Sequence, residues 1–155
     1  MIKSNVEVDL IGLKSQSVYN FMLICTDERY QSWWPGVHLA FHTIKHYPGN
    51  IGNLVYFDEY IGHMRIKFTA KIKELIPGSK LVYQLRFFVN LPAWMVLEFQ
   101  DLPDGVKITH IFVLGYSGFG RVFDPLFRLF FSKNFQRDLE EHAETEFKLL
   151  AKILS

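Results

Sequence analysis

Cysteine occurs once, at Cys25, so the chain has no internal disulfide and must hold its fold by burial and hydrogen bonding. Asn-x-Ser/Thr acceptors are absent as well. Both absences fit a reducing compartment, and a cytoplasmic location is expected. Neither sign of charge is in excess: Lys+Arg 17 against Asp+Glu 16 leaves a net charge of +1. A protein built to grip phosphate backbones needs a concentrated basic surface, so no nucleic-acid partner is expected. Long apolar runs are missing too. The greasiest window, Val122 to Phe131, is short and carries Asp124 and Arg128, so no stable membrane insertion is expected. Met1 to Leu10 alternates polar with aliphatic side chains and has no stretch fit for a signal peptide. Neither Gly-x-Ser-x-Gly nor His-Glu-x-x-His occurs, which removes two large hydrolase classes.

What the chain has in quantity is apolar and aromatic surface, 49% and 16% of 155 residues, enough for one core in one domain spanning 1–155. Val6, Val8 and Leu10 alternate with Glu7 and Asp9, the period of a half-buried strand. Ser15 or Ser17 is placed to cap a short helix bearing Val18, Phe21, Met22 and Cys25, and Thr26 or Asp27 a second one, Glu28 to Trp33. Strand patterns then follow one another, punctuated by Pro48-Gly49-Asn50, Gly62, Pro77-Gly78-Ser79 and Pro103-Asp104-Gly105. They run over Leu39 to Tyr47, Leu54 to Ile61, Met64 to Lys73, Leu81 to Phe87, Met95 to Gln100 and Lys107 to Tyr116. Asp124 before Pro125 reads as the cap of one long amphipathic helix reaching Leu154, with Phe127, Phe131, Phe135, Leu139, Ala143, Phe147, Leu150 and Leu154 as its apolar stripe. Helices segregated from strands imply an α+β layer fold in which the long helix covers one sheet face.

This order resembles the START-like helix-grip superfamily, in its polyketide cyclase/dehydrase and lipid-transport branch. The resemblance spans nearly the whole chain. It rests on Val6 to Leu10, on Arg29-Tyr30-Gln31-Ser32-Trp33-Trp34-Pro35-Gly36, on Glu74-Leu75-Ile76-Pro77-Gly78-Ser79-Lys80-Leu81-Val82-Tyr83, on Asp104-Gly105-Val106-Lys107-Ile108-Thr109 and on Gly118-Phe119-Gly120 before the final helix. It implies a curved antiparallel sheet of about seven strands around the C-terminal helix, two short helices after the first strand, and an elongated apolar cavity between sheet and helix. Members bind lipids, sterols, polyketides or other hydrophobic molecules, and some catalyse cyclisation or dehydration on them.

Strand alternation names the cavity-facing side chains: Met64, Ile66, Phe68, Ala70 and Ile72; Leu81, Tyr83, Leu85 and Phe87; Met95, Leu97 and Phe99. The last strand is apolar on both faces and its parity ambiguous, with Ile108, His110, Phe112, Leu114 and Tyr116 the better set because Lys107 and Thr109 suit the outer face. The strand Leu54 to Ile61 has no evident parity, so Tyr56 and Asp58 compete with Phe57 and Glu59. The expected ligand-binding set is Phe68, Tyr83, Leu85, Phe87, Trp94, His110, Phe112, Tyr116, Phe127 and Phe131. Tyr83 and His110 are its polar anchors, and Trp94, beside Pro92, part of the entrance. The rival is a solid core without a cavity. Emptiness is expensive: a 500 Å³ void would cost ~12 kcal/mol in core-truncation terms, so a real pocket holds ligand, water or collapsed side chains.

Three further groupings carry chemistry on paper. His38, His42 and His46 share a strand face, but i and i+4 side chains on a strand stand about 13 Å apart, so one metal ion does not reach all three. A solvated outer face is expected, with no metal and no cofactor. Asp138, His142 and Glu146 read as a charge ladder along a helix flank. His110, turned inward, would be kept neutral by burial, as a core histidine, a ligand contact or an acid/base. Gly115, Gly118 and Gly120 match no phosphate-loop spacing. The aromatics Trp33, Trp34, Phe119, Phe123, Phe127, Phe130 and Phe131 exceed one helix face and leave lid, homodimer contact and transient membrane docking open. The expected function is binding, for transport or sequestration, of a hydrophobic small molecule such as a lipid or polyketide-like aromatic. The alternatives are a cyclase/dehydratase-type enzyme with His110 as acid/base, or a protein-interaction module using Phe123 to Phe131.

Overall fold

The computed structural model describes residues 1–116 and 118–155, leaving the side chain of Phe130, and with it that part of the aromatic cluster, outside the described residues. The chain opens with β1 (Ile2–Ile11), α1 (Ser15–Leu23) and α2 (Asp27–Trp33). Six strands follow: β2 (His38–Lys45), β3 (Leu54–Ile61), β4 (Met64–Ile76), β5 (Lys80–Phe87), β6 (Val89–Leu102) and β7 (Gly105–Leu114). A 3-10 segment, Gly118–Phe123, leads into α3 (Asp124–Phe130) and α4 (Lys133–Leu154). Together the strands form one antiparallel sheet, ordered β1-β7-β6-β5-β4-β3-β2. Consecutive strands pair as hairpins from β2 to β7, and β1 closes on β7 with Ile2 opposite Leu114 and Ile11 opposite Gly105.

That closing pair explains a glycine. A methyl group on Gly105 would stand 1.9 Å from the Leu10 carbonyl oxygen, where β1 crosses the turn Pro103-Asp104. At Gly62, between β3 and β4, the backbone has φ +58°, the left-handed region that glycine enters without a Cβ clash. The β5–β6 hairpin is built differently. Phe87 pairs with Val89, and the single residue between them, Phe88, takes φ +60° with its ring 91% exposed.

The helix ends depart from the expected caps. Neither Ser15 nor Ser17 caps α1; the Ser15 amide donates instead to Asp101 Oδ1 at 2.8 Å, so the cap comes from β6. Thr26 does cap α2, accepting from the Arg29 amide. The long C-terminal helix is two helices. Asp124 and Pro125 lie inside the first turn of α3, and Ser132 restarts the chain by accepting from the Phe135 amide at 3.1 Å. Ser132 has an extended backbone, which ends one helix and caps the next.

The helix α4 buries Leu139, Ala143, Phe147 and Leu150 on the sheet, together with His142 and Glu146. Its main contacts are with β1 and β3, which stand on either side of the middle strands, and with α2. The expected strand parity holds for Phe68, Ala70, Ile72, Leu81, Tyr83, Leu97, His110 and Phe112. It weakens at and just beyond strand ends, where Met64, Phe87 and Tyr116 are 53%, 66% and 40% exposed. The strand β6 begins six residues earlier than expected, and within it Trp94 pairs with Gln84 and Val113, a ladder residue and no entrance loop.

Gly105→Ala is expected to destabilise the fold by about 1–3 kcal/mol or more, because strand backbone rather than a flexible side chain occupies the needed space. Urea unfolding measures it. An unchanged midpoint would mean that β1 does not pass over the turn this closely.

Candidate functional site

Between α4 and the middle of the sheet lies a cavity of about 320 Å³. Its walls are Phe68, Leu85, Leu91, Met95, Leu97 and Phe112 from the sheet and Phe131, Phe135, Leu139, Ala143 and Phe147 from the helical side. Polar groups gather at the inner end: Glu59, His110, His142 and Glu146, with Tyr30 and Trp33 behind them. Of the residues expected to meet a ligand, Phe68, Leu85, Phe87, His110, Phe112 and Phe131 line this space. Tyr83, Trp94, Tyr116 and Phe127 do not. Tyr83 is sealed in the core, edge-on to Phe57. Trp94 lies between Ala93 and Met95, and Met95 is the neighbour that turns to the cavity. Tyr116 and Phe127 pack on each other at 5.9 Å, outside the lining.

Of the inner polar cluster only His110 was expected to face inward, and the other members arrive by separate local causes. Glu59 follows Phe57 and precedes Ile61 on the inward face of β3, which settles the open parity in favour of the odd-numbered residues. Asp58 points the other way and accepts both arms of Arg65, at 2.9 and 2.8 Å. His142 and Glu146 continue the i+3/i+4 line from Leu139 to Leu150, so they belong to the buried stripe of α4 and not to an exposed ladder. Asp138 remains at the edge, its side chain 32% exposed beside Arg137. A bulge between His38 and Ala40 breaks the alternation of β2 and turns His38 into the core. His42 stays outside on Asp27, 2.7 Å away, and His46 is exposed, so the three histidines do not share a face.

The resulting contacts are short. The Tyr30 hydroxyl donates to Glu59 Oε2 at 2.8 Å, and His142 Nε2 lies 3.0 Å from the same oxygen. Glu146 Oε2 is 3.3 Å from His38 Nε2 and 3.6 Å from His142 Nε2. The Trp33 indole N–H donates to the Glu146 carbonyl. Aromatic rings clamp both imidazoles: His38 stacks on Tyr30 at 3.8 Å and His142 on Trp34 at 4.8 Å. His38 is wholly buried, and neither of its ring nitrogens has a hydrogen bond of acceptable geometry.

Burial alone would push the Glu59 carboxyl up, but the hydrogen bond from His142, the charges of His142 and His38 and the Tyr30 hydroxyl together hold it below the ordinary value. The same contact works on His142: burial pulls it down, and Glu59 and Glu146 more than restore it. Glu59 and His142 thus each favour the charged form of the other. Tyr30 is pushed well up, first by burial and then by the two glutamates, and stays a hydrogen-bond donor. For His110 the balance goes the other way. Burial outweighs the charges of Glu146 and Glu59 and holds it below its usual value, and its Nδ1 has no partner. Cys25 is inert, its thiol pushed up to about 12 by burial.

No family model matches the chain, and no curated protein does. Solved structures do. The crystal structure of Ara h 8.0201 superposes with a TM-score of 0.67 at 12% identity, over 99% of this chain and 97% of that one. The chain has the helix-grip fold. TTHA0849 from Thermus thermophilus gives a TM-score of 0.64 at 11% identity, covering 99% and 97% of the two chains. The Aha1 dimer from Colwellia psychrerythraea gives 0.53 at 14%, covering 93% and 97%. At such identities the likeness is one of helix-grip architecture alone. Among the described residues no helix is long and apolar enough to cross a membrane.

The state of His110 gives a pH test. Its value is lowered in the folded chain, so as pH falls through about 6.5 the unfolded chain takes up a proton there that the folded chain refuses. His110 thus contributes a loss of stability on acidification, and His110→Phe is expected to reduce that loss between about pH 6.5 and 5. Urea unfolding across this range checks it, alongside ring shifts of His110 by NMR. A ring that titrates at or above the ordinary value would sink the assignment.

Proposed function

We propose that this helix-grip protein, as a single START-like domain, binds a hydrophobic small molecule in the cavity between α4 and the sheet, with transport or sequestration as the use. The observation that carries the reading is the cavity itself. Left dry and empty, about 320 Å³ would cost roughly 8 kcal/mol in core-truncation terms, comparable with the ~5–15 kcal/mol net stability of a domain. Its apolar walls give water few partners, whereas a hydrophobic ligand satisfies them. Phe68, Leu85, Phe112 and Phe131 supply the apolar walls, and His110 with the Glu59–His142 pair would orient a hydroxyl, carbonyl or amine at the inner end. Among lipid-like and aromatic metabolites, the volume favours a compact one, being at the low end of small-molecule sites.

The polar inner end also supports a second reading, acid/base chemistry of the cyclase/dehydratase type with His110 acting on the bound molecule. Such chemistry needs inward carboxylates, and Glu59 and Glu146 are two. Under this reading His110→Ala abolishes turnover and leaves binding intact; under the carrier reading no turnover is found with the extracted ligand.

The test begins with native mass spectrometry of freshly purified protein and identification of what solvent extraction releases. Leu85→Trp, which fills the cavity from the sheet side, is expected to weaken binding of that molecule, or of a fluorescent fatty-acid probe, roughly tenfold or more, about 1.4 kcal/mol. Equal affinity in a folded Leu85→Trp variant would place binding elsewhere.

A further inference from the structure

We propose that His38, Glu59, His142 and Glu146 form a binding site for one first-row divalent metal ion of the zinc class. Four observations converge on it. The donor set is the first. Two imidazoles and two carboxylates come from β2, β3 and α4, all four are buried, and one donor atom from each lies within 4.8 Å of the others. Imidazole with carboxylate is a zinc-type set, and the ion binds such ligands tetrahedrally at about 2.0–2.2 Å.

The second is the spacing. A tetrahedron with bonds of ~2.1 Å has edges of about 3.4 Å. Four of the six edges join an Nε2 to an Oε2, and they measure 3.3 Å (His38–Glu146), 3.9 Å (His38–Glu59), 3.0 Å (His142–Glu59) and 3.6 Å (His142–Glu146). They bracket the required length on both sides. The shortest, His142–Glu59, carries a hydrogen bond, while the other three carry none and still lie within about half an ångström of the tetrahedral edge.

The third is His38. A wholly buried imidazole with neither nitrogen hydrogen-bonded is rare, because desolvation of each goes uncompensated. Its Nε2 nevertheless faces both carboxylates. A metal ion between them would give that nitrogen a bond. The fourth is charge. Among the described residues the ion pairs of Glu59 and Glu146 are with the two histidines alone. Even with one imidazolium, two carboxylates leave a negative charge in a buried place, whereas a divalent cation with two neutral imidazoles and two carboxylates is neutral. The groups around these four side chains already hold them in place. The Tyr30 hydroxyl orients Glu59, and the rings of Tyr30 and Trp34 fix the planes of the two imidazoles.

Glu59, His142 and Glu146 also face the cavity, so a bound ion would stand at its inner end, within reach of a ligand's oxygen by expansion to five-coordination. The site does not depend on that ligand, and metal binding can fail or succeed independently of the carrier reading.

Cobalt(II) is the probe. Protein stripped with a chelator is titrated with Co²⁺, then Zn²⁺, following visible d–d absorption and metal content after desalting. Expected are intense tetrahedral bands saturating at about one equivalent per chain and quenched by Zn²⁺. His38→Ala and Glu59→Gln should abolish them, Tyr30→Phe should lower affinity about 10–100-fold, and the double variant His42→Ala/His46→Ala should leave them unchanged. Circular dichroism shows which variants fold. Should His38→Ala or Glu59→Gln not fold, ¹⁵N-edited spectra of the wild-type histidines decide, with His38 and His142 shifting on Zn²⁺ addition. The proposal is overturned by the absence of tetrahedral bands, by stoichiometric uptake that survives in folded His38→Ala or Glu59→Gln, or by shifts confined to His42, His46 or His63.

Discussion

A single helix laid against a seven-stranded sheet has less surface than the sheet has concave face. The other features follow from that mismatch. The helix α4 makes its main sheet contacts with β1 and β3, and the strands between them are left partly uncovered. Aromatic and aliphatic side chains from β4 to β7 reach toward the gap without closing it. The cavity is thus a geometric remainder of the grip, and its position is set by where the helix rests.

Where α4 meets β2, β3 and α2, the remainder narrows and its chemistry changes. Four titratable side chains converge there under a roof of Tyr30, Trp33 and Trp34. Low polarity around them strengthens each contact and raises the cost of leaving any member alone. Glu59 stays ionised in the interior because His142 and Tyr30 are already aimed at it. One wall therefore has two characters along its length: apolar and adaptable toward α3, polar and rigid beneath α2. A bound molecule would be read for shape at one end and for a single polar group at the other.

The element order, the antiparallel sheet and the inward face of β4 and β5 were legible in the sequence, because those strands alternate between apolar and charged or polar residues, whereas β7 is apolar on both faces and only Lys107 and Thr109 argued for its inward set. Gly62 and Pro103-Asp104-Gly105 fixed the hairpins around them. The candidate site was half legible. His110 stood in a strand whose parity could be argued, whereas His38 turned inward through a bulge that leaves no mark in a string of residues. His142 and Glu146 did leave a mark. They keep step with Leu139 and Leu150, and the periodicity places them on the buried face whatever their polarity. Reading them as a ladder gave residue type more weight than phase. Glu59 was lost to a strand with apolar residues on both faces, where only the finished packing separates Phe57 from Tyr56. The break at Ser132 was hidden by unbroken helical composition on either side of it.

The tip of the β5–β6 hairpin has a thermodynamic meaning of its own. A left-handed backbone with a side chain on it costs about 1–2 kcal/mol relative to glycine, and Phe88 adopts one while holding its ring in solvent, edge-on to Phe87 at 4.8 Å. Folding gains little from that ring, since almost none of it is removed from water. Phe87 beside it belongs to the cavity wall. The hairpin is therefore a place where the chain is locally frustrated: Phe88 satisfies neither the turn nor the core, and the native state carries that tension at the rim of the cavity.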